Sequence, residues 1–334
     1  MSLGYVEACG CLPSTVAKRP TSHWPSVSRQ HADHDAEIGV GVTPDLGASN
    51  RWLCQAPGAE LAKDALARFN RLVSGRIGLI GFGAIGQVVA SEVDVAAVLV
   101  RDRYLESARR ALPGVAVVAS IEDLLATGPD VVAECAGQPA VREYGEAVLA
   151  GGTDLMVIST GAFGDQAFLD RMCAAARRAG RRILVPAGAT AGLDGLMALR
   201  EGGLDWVRYT SSKPPHAWLD TPAERAFRLE ALSEPTVIHS GPAHEAARLY
   251  PKNANLAVTI ALAGLGLDRT QVDLVADPAL TTGNIGRIEA SGRLGVLTVE
   301  MAGRAAPDNP KTSQVTAYSI VHTLRSGRAV MALP

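Results

Sequence analysis

The chain of 334 residues predicts an α/β protein: a parallel sheet covered by helices, followed by an α+β domain built on an open sheet. Three observations predict it. From residue 76 onward, short apolar runs alternate with helical stretches at the spacing of βαβ units. The first run opens directly into a glycine-rich turn, Gly81-Phe82-Gly83-Ala84-Ile85-Gly86. Past Pro186, strand-like runs follow one another without regular helices between them, the pattern of an α+β domain.

The run 76–80, Arg-Ile-Gly-Leu-Ile, is the first expected strand, and helical sequence after the turn leads to a second at 95–100. Strand, GxGxxG, helix, strand is the context in which that motif marks a Rossmann-type dinucleotide site. Gly81 permits the tight turn, Gly83 lets the backbone approach a pyrophosphate, and Gly86 allows close helix–strand packing. Ala84 and Ile85 open the helix whose free N–H groups and partial positive charge face the phosphates. The second strand ends in Val100-Arg101-Asp102-Arg103. Asp102 suits the ribose 2′-hydroxyl of NAD, whereas Arg101 and Arg103 suit a 2′-phosphate, so NADP is expected alongside NAD.

Further strands are expected at 115–118, 130–134, 154–159 and 182–186, with helices at 122–126, 140–150 and 166–179. Ligands lie beyond the carboxyl ends of parallel strands. That rule points to Glu134-Cys135-Ala136-Gly137 and Ser159-Thr160-Gly161-Ala162, and adds Ala136 and Ala162 to the cofactor set. Cys135 reads as a small buried side chain rather than a nucleophile. In the second domain, strands are expected at 204–213, 236–240, 272–276, 286–291 and 294–301. Helices are expected at 242–250, 253–266 and 313–325, the last returning to the first domain. The domain limits follow: 75–188 for the dinucleotide-binding domain, 189–310 for the substrate domain, and 311–334 for the C-terminal helix.

Lys and Arg number 32 against 34 Asp and Glu, which speaks against a nucleic-acid partner, since phosphate backbones call for a basic excess. No apolar run approaches the ~18–20 residues of a membrane span. Five cysteines, an odd number without zinc-finger spacing, do not form a disulfide framework. A cytoplasmic, reducing location and a small-molecule substrate are therefore expected. Residues 1–74 stand apart, with Cys9, Cys11, Cys54, His23, His31 and His34 and balanced charge. His31 and His34 with Asp33 and Asp35, or Cys9 with Cys11, have metal-ligating chemistry. The many prolines argue against the fixed geometry a metal needs, so none is expected. A short helix is expected over 60–72, and the rest reads as a poorly structured, dispensable extension ahead of a start at Val73.

From Gly75 onward there are 22 arginines but only three lysines, Lys213, Lys252 and Lys311. Each stands in a polar, turn-rich motif: SSKPP, YPKNAN and NPKTS. Where arginine is the default cation, a lysine suggests a compact charge or a titratable amine. A buried carboxylate must be paired, so these lysines, with Arg287, are the candidates for holding a small dicarboxylate.

At these motifs the chain resembles the L-aspartate dehydrogenase family, from about residue 76 to 325. The carriers are GFGAIG (81–86), ECAG (134–137), STGA (159–162), AGATAGLDGL (187–196), RYTSSKPPHAWL (208–219), LYPKNANLA (249–257), ADP (276–278) and NPKTS (309–313). The resemblance implies oxidative deamination of L-aspartate to iminosuccinate with NAD or NADP, and oxaloacetate plus ammonia once the imine hydrolyses. In the family this feeds pyridine nucleotide biosynthesis. It implies that Ala189 and Asn255 contact the cofactor. Lys213, Lys252 and Lys311, with Thr312, are the expected substrate contacts, and a homodimer or homotetramer is expected, as is common for two-domain dehydrogenases.

One departure bears on catalysis. The family carries Asn-x-His after the Asp-Pro, and that histidine is its catalytic residue. Here the segment runs Asp277-Pro278-Ala279-Leu280-Thr281-Thr282-Gly283-Asn284-Ile285-Gly286, one residue longer, with glycine where the histidine belongs. Glycine offers no proton and no side-chain hydrogen bond. Asn284 and Lys213 remain as expected catalytic groups, and His244 is the first candidate to substitute, with His216 and His239 behind it, because an unperturbed pKa near ~6.5 suits a general base. The alternatives are slow turnover with water as base, action on a different imine, keto acid or semialdehyde, or a nucleotide-binding homologue without catalysis.

Overall fold

The computed structural model of the chain describes residues 75–281, 283–306 and 309–327, without the side chains of 305–312. The extension before residue 75, with its candidate metal ligands and its expected helix, lies outside the described residues. The first sheet has six strands: β1 (Ile77–Ile80), β2 (Val95–Leu99), β3 (Ala116–Val118), β4 (Val131–Glu134), β5 (Asp154–Val157) and β6 (Ile183–Leu184). Their order is β3-β2-β1-β4-β5-β6, and every pairing is parallel. Strands β1, β4 and β5 are buried at every position, because helices cover both faces. That is why they read as unbroken apolar runs. The order reverses between β1 and β4, which places a ligand crevice just beyond their carboxyl ends.

Helices alternate with these strands: α1 (Ala84–Glu92), α2 (Leu105–Ala111), α3 (Ile121–Ala126), α4 (Gln138–Ala150) and α5 (Gln166–Ala179). Local signals set their ends. Asp165 caps α5 by accepting from the Phe168 N–H at 3.2 Å, and Gly180 closes it at φ 60°.

The second sheet has five strands in the order β11-β10-β7-β9-β8. They are β7 (Leu204–Lys213), β8 (Thr236–Pro242), β9 (Thr270–Ala276), β10 (Asn284–Gly292) and β11 (Gly295–Gly303). Strands β7 and β9 run parallel, and the other pairings are antiparallel. Alternation gives the sheet two unlike faces. Val207, Tyr209 and Ser211 are buried on the inner face, against α6 (Leu193–Gly202), α8 (Ala243–Leu249) and α9 (Asn255–Ala263). Trp206 and Val296 are exposed on the outer face, beside the Arg208–Asp273 and Arg287–Glu289 ion pairs.

A short helix, α7 (Pro222–Ala226), and a small strand pair, β12 (Ala305–Ala306) with β13 (Asn309–Ser313), complete the second part. The last helix, α10 (Gln314–Ser326), packs on α1. Its Ile320, Val321 and Leu324 share a cluster with Leu79, Val89, Val98 and Met156, and Arg325 reaches the Glu92 carbonyl at 2.6 Å. Helix α6 is absent from the sequence reading, since Gly192, Gly195, Gly202 and Gly203 crowd its ends and first turn and hide its periodicity. Among the described residues, no helix is long and apolar enough to cross a membrane.

Candidate active site

A cleft of about 700 Å³ opens beyond β1 and β2, lined among others by Gly81, Gly83, Arg101, Tyr104, Ala136 and Tyr144. Gly81 sits at φ 95°, and a Cβ there would stand 2.7 Å from that of Ala136. A Cβ on Gly86 would collide with the Gly81 carbonyl, so the first turn of α1 is seated directly on the loop. Gly83, by contrast, has no atom within 4 Å of a Cβ position and leaves the N-terminus of α1 open to the cleft. Ala84 is exposed at that terminus and Ile85 half-buried, its side chain packed into the first sheet's core. Glycines that admit a close backbone approach, beneath a free helix start, fit a pyrophosphate.

Arg101 lines this cleft, whereas Asp102 is exposed in the 3₁₀ turn Asp102–Tyr104, away from the lining. The Arg103 guanidinium lies 4.8 Å over the ring of Tyr104, which itself lines the cleft. Cys135 also borders the cleft, and burial beside Glu134 pushes its thiol pKa up, so the thiolate is disfavoured.

Glu134, fully buried at the end of β4, organises two strand ends at once. Its Oε1 accepts from the N–H groups of Ala136 (2.8 Å) and Gly137 (2.6 Å) and from Ser159 Oγ (3.0 Å), and its Oε2 accepts from the Ser159 N–H (3.1 Å). Burial raises its pKa, and these donors oppose the rise. The carboxylate thus fixes the loops after β4 and β5 relative to each other.

Beyond β5, the turn Thr160–Gly164 meets the start of α9. Asn255 Oδ1 accepts from the Gly161 N–H (3.0 Å) and Gln138 Nε2 (3.2 Å), and the Asn255 carbonyl accepts from Thr160 Oγ1 (2.6 Å). Asn255 Nδ2 has no partner among the described residues. Ala162 corrects the sequence reading: it is fully buried, its N–H on the Ser159 carbonyl and its own carbonyl on Arg142, so it supports the loop without facing the cleft. Ala189 is buried too, behind Gly188, whose N–H donates to Ser319 of α10.

The same short segment reaches the second sheet. Gln138 donates to the Pro251 carbonyl at 2.7 Å, and Asn253 Oδ1 accepts from Lys213 Nζ at 2.7 Å. Lys213 ends β7 with its ammonium 5.5 Å from the ring of buried Trp218, and burial lowers its pKa to about 8. Residues 251–255 therefore join the strand ends of the first sheet to the lysine of the second.

Strand register orders the groups around Lys213. Gly286 is the direct partner of Ser211, and Ile285 of Ser212, so Asn284 stands one step further out beside Lys213. The Asn284 side chain leans over Gly303 of β11, next to Ser313. Lys311 and Thr312 lie on β13, their side chains outside the described ones. Lys252 is exposed and does not join the cluster.

Two expectations are overturned by geometry. His244 begins α8 just past Pro242, which pairs with Gln271, whereas Lys213 pairs with Ala276. Five residues of strand at ~3.3 Å each put His244 roughly 17 Å away, at the opposite rim, where its Nδ1 lies 2.9 Å from Asp268. Arg287 is one residue from Gly286 and so faces the other side of the sheet, paired with Glu289. His239 occupies Gly286's row, but three strands across at ~4.8 Å spacing, roughly 14 Å away. His216 is exposed on the turn Pro215–Trp218. The sequence reading also missed Gln138, Asn253 and Tyr209. The signal for the first two was their place inside ECAGQ and YPKNAN. Among the described residues, no group of three or more His, Cys, Asp or Glu side chains is placed to hold a metal.

The family profile described as "Aspartate dehydrogenase, C-terminal" matches residues 194–327, and the one described as "Homoserine dehydrogenase, NAD binding domain" matches residues 75–186. The L-aspartate dehydrogenase of Ralstonia pickettii is 44% identical over 256 residues, 74% of this chain and 96% of that protein. That of Pseudomonas aeruginosa is 43% identical over 254 residues, 74% of this chain and 95% of that protein. A crystal structure of aspartate dehydrogenase from Thermotoga maritima matches with a TM-score of 0.63 at 28% identity, covering 78% of this chain and 99% of that one. A glycine cradle at the switch point of a Rossmann sheet, a second sheet whose lysine is tied to it, and relatives this similar over nearly their whole length lead to one conclusion: the chain belongs to the L-aspartate dehydrogenase family of oxidoreductases.

Proposed function

We propose that this protein is an NAD(P)-dependent L-aspartate dehydrogenase, which oxidises L-aspartate to iminosuccinate, hydrolysed to oxaloacetate and ammonia, or runs the reverse amination. The observation that carries the reading is the segment 251–255, which hydrogen-bonds the cofactor domain through Gln138 and Gly161 and the substrate sheet through Lys213. One short piece of chain thus touches both the cofactor domain and the substrate sheet, and positioning of this kind supplies much of a transfer enzyme's rate.

When bound, the nicotinamide supplies the hydride acceptor. The chain's own residues do the rest. Asn255 Nδ2, without a partner among the described residues, is the proposed donor to a carboxamide, and Gly81, Gly83 and Gly86 seat the pyrophosphate. Ala136 borders the same cleft and Ala84 lies exposed at the helix start, while Ile85 and Ala189 stay in the proposed cofactor set as supports behind it. Lys213 pairs with a substrate carboxylate, and Lys311, Thr312 and Asn284 complete the substrate end. We place the domain limits at 75–188, 189–310 and 311–334, in keeping with a first sheet ending at Leu184 and a second spanning Leu204 to Gly303. Both cofactors are accepted in this reading, because Arg101 borders the cleft and would offer its guanidinium to a 2′-phosphate. Association into a homodimer or homotetramer in the cytoplasm belongs to the same proposal.

Gly286 favours a second reading, in which the site takes a different imine, keto acid or semialdehyde. Oxidation of NADH or NADPH with oxaloacetate, with and without ammonia, separates the two. The first requires ammonia-dependent turnover. Turnover on another carbonyl compound without ammonia supports the second, and cofactor binding without turnover refutes both.

A further inference from the structure

Gly286 carries no side chain, but the space over it is not apolar. The atom nearest to a Cβ built at Gly286 is the Tyr209 hydroxyl at 3.2 Å, followed by Tyr209 Cε2 at 3.4 Å. Tyr209 stands diagonally across the strand pair, opposite Ile288, with its ring buried on the inner face. Ser211, the direct partner of Gly286, is buried on that face too, and its hydroxyl is near enough to the Tyr209 phenol to oppose the pKa rise that burial causes. Directly opposed positions on one face stand ~4.5–5.5 Å apart, so both hydroxyls reach over the glycine. Lys213 follows two residues along the same face.

A hydroxyl can both donate and accept, so the two oxygens offer hydrogen-bonding capacity over the glycine without carrying charge.

We infer that the Tyr209–Ser211 hydroxyl pair is the substrate-facing hydrogen-bonding group of this site, standing over Gly286 where the side chain of residue 286 would otherwise act. The inference rests on the dehydrogenase reading above. It identifies the ligand atom by chemistry: an acceptor on the reacting substrate, such as a deprotonated amine, a carbonyl oxygen or a carboxylate oxygen. The pair donates a hydrogen bond and leaves net proton transfer to solvent. Because burial holds the Tyr209 phenol up at about 12 and a serine does not titrate, neither hydroxyl changes charge across the working range. The two devices also compete for space, since a Cβ at 286 would stand 3.2 Å from the phenol oxygen.

The experiment uses the full chain, with oxaloacetate, ammonia and the better of NADH and NADPH. Tyr209→Phe keeps the buried ring and removes one hydroxyl, and Ser211→Ala removes the other. Each variant is expected to lower kcat about 10- to 100-fold, with the Kd for reduced cofactor unchanged within about twofold. The wild-type kcat profile is expected to show no limb near pH 6.5. Gly286→His in the Tyr209→Phe background, where the phenol oxygen no longer obstructs, is expected to restore turnover and to introduce such a limb. Wild-type turnover with unchanged kcat in both hydroxyl variants overturns the hydroxyl pair and leaves the dehydrogenase reading standing. A wild type that binds cofactor but turns over nothing overturns both.

Discussion

Lys213→Met is the substitution in which stability and function are expected to part. The Lys213 ammonium is enclosed at the end of β7, and burial draws its pKa from 10.5 to about 8. At about 1.36 kcal/mol per tenfold change in proton affinity, that drop corresponds to about 3 kcal/mol by which the charged form is disfavoured in the folded chain. The hydrogen bond to Asn253 returns about 1 kcal/mol of this, so methionine should stabilise the protein by about 2 kcal/mol at pH 7. The folded-state pKa lies below the unfolded one, so the unfolded chain holds the proton longer, and wild-type stability rises between about pH 8 and 10.5. By pH 10 the burial cost falls below about 1 kcal/mol, and the advantage of methionine should vanish. Urea unfolding of both proteins at pH 7 and pH 10 reads this directly, because other titrating groups cancel in the difference. Turnover of the variant should be lost while it still binds reduced cofactor. A stability difference that is the same at both pH values, or a variant less stable than wild type at pH 7, would refute the reasoning.

Two further substitutions probe the cofactor domain. Gly81→Ala forces a Cβ to within 2.7 Å of Ala136 at φ 95°, and should cost about 2 kcal/mol or more in urea unfolding and abolish NADH binding by fluorescence titration. Arg101→Ala should weaken NADPH binding about tenfold or more and leave NADH within about twofold, since only the 2′-phosphate offers the guanidinium a charged partner; equal losses for both cofactors would remove Arg101 from phosphate recognition.

Local patterns in the sequence carried the first half of the molecule. The β1 run, the glycine turn and α1 are contiguous, and Gly86 answers to the Gly81 carbonyl and Gly81 to the loop after β4, while Gly83 leaves open space. The lysines were legible as exceptions in an arginine-rich chain, and Lys213 stands at the candidate site. What one sequence could not supply was strand direction and parity. His244 and Lys213 both follow strands of one sheet, but β8 runs antiparallel to β9 and delivers its histidine to the far rim. Arg287 fails for a smaller reason, since one residue of parity moves it to the outer face. Ala162 was placed by a sound rule about strand ends, and packing buried it. Tyr209 was invisible for the opposite reason: alternation marks it as core, and only the register with β10 brings its hydroxyl over a glycine two rows away.

The backbone at Gly286 is ordinary, with no positive φ and no main-chain atom crowding its missing Cβ. Nothing in the main chain demands glycine there. A single substitution can put a side chain back without remodelling either strand, and its first obstacle is the phenol oxygen of Tyr209. Positions 209, 211 and 286 are therefore an epistatic set. A side chain returned to 286 is felt first at the Tyr209 hydroxyl, and its effect is expected to depend on whether residue 209 carries one.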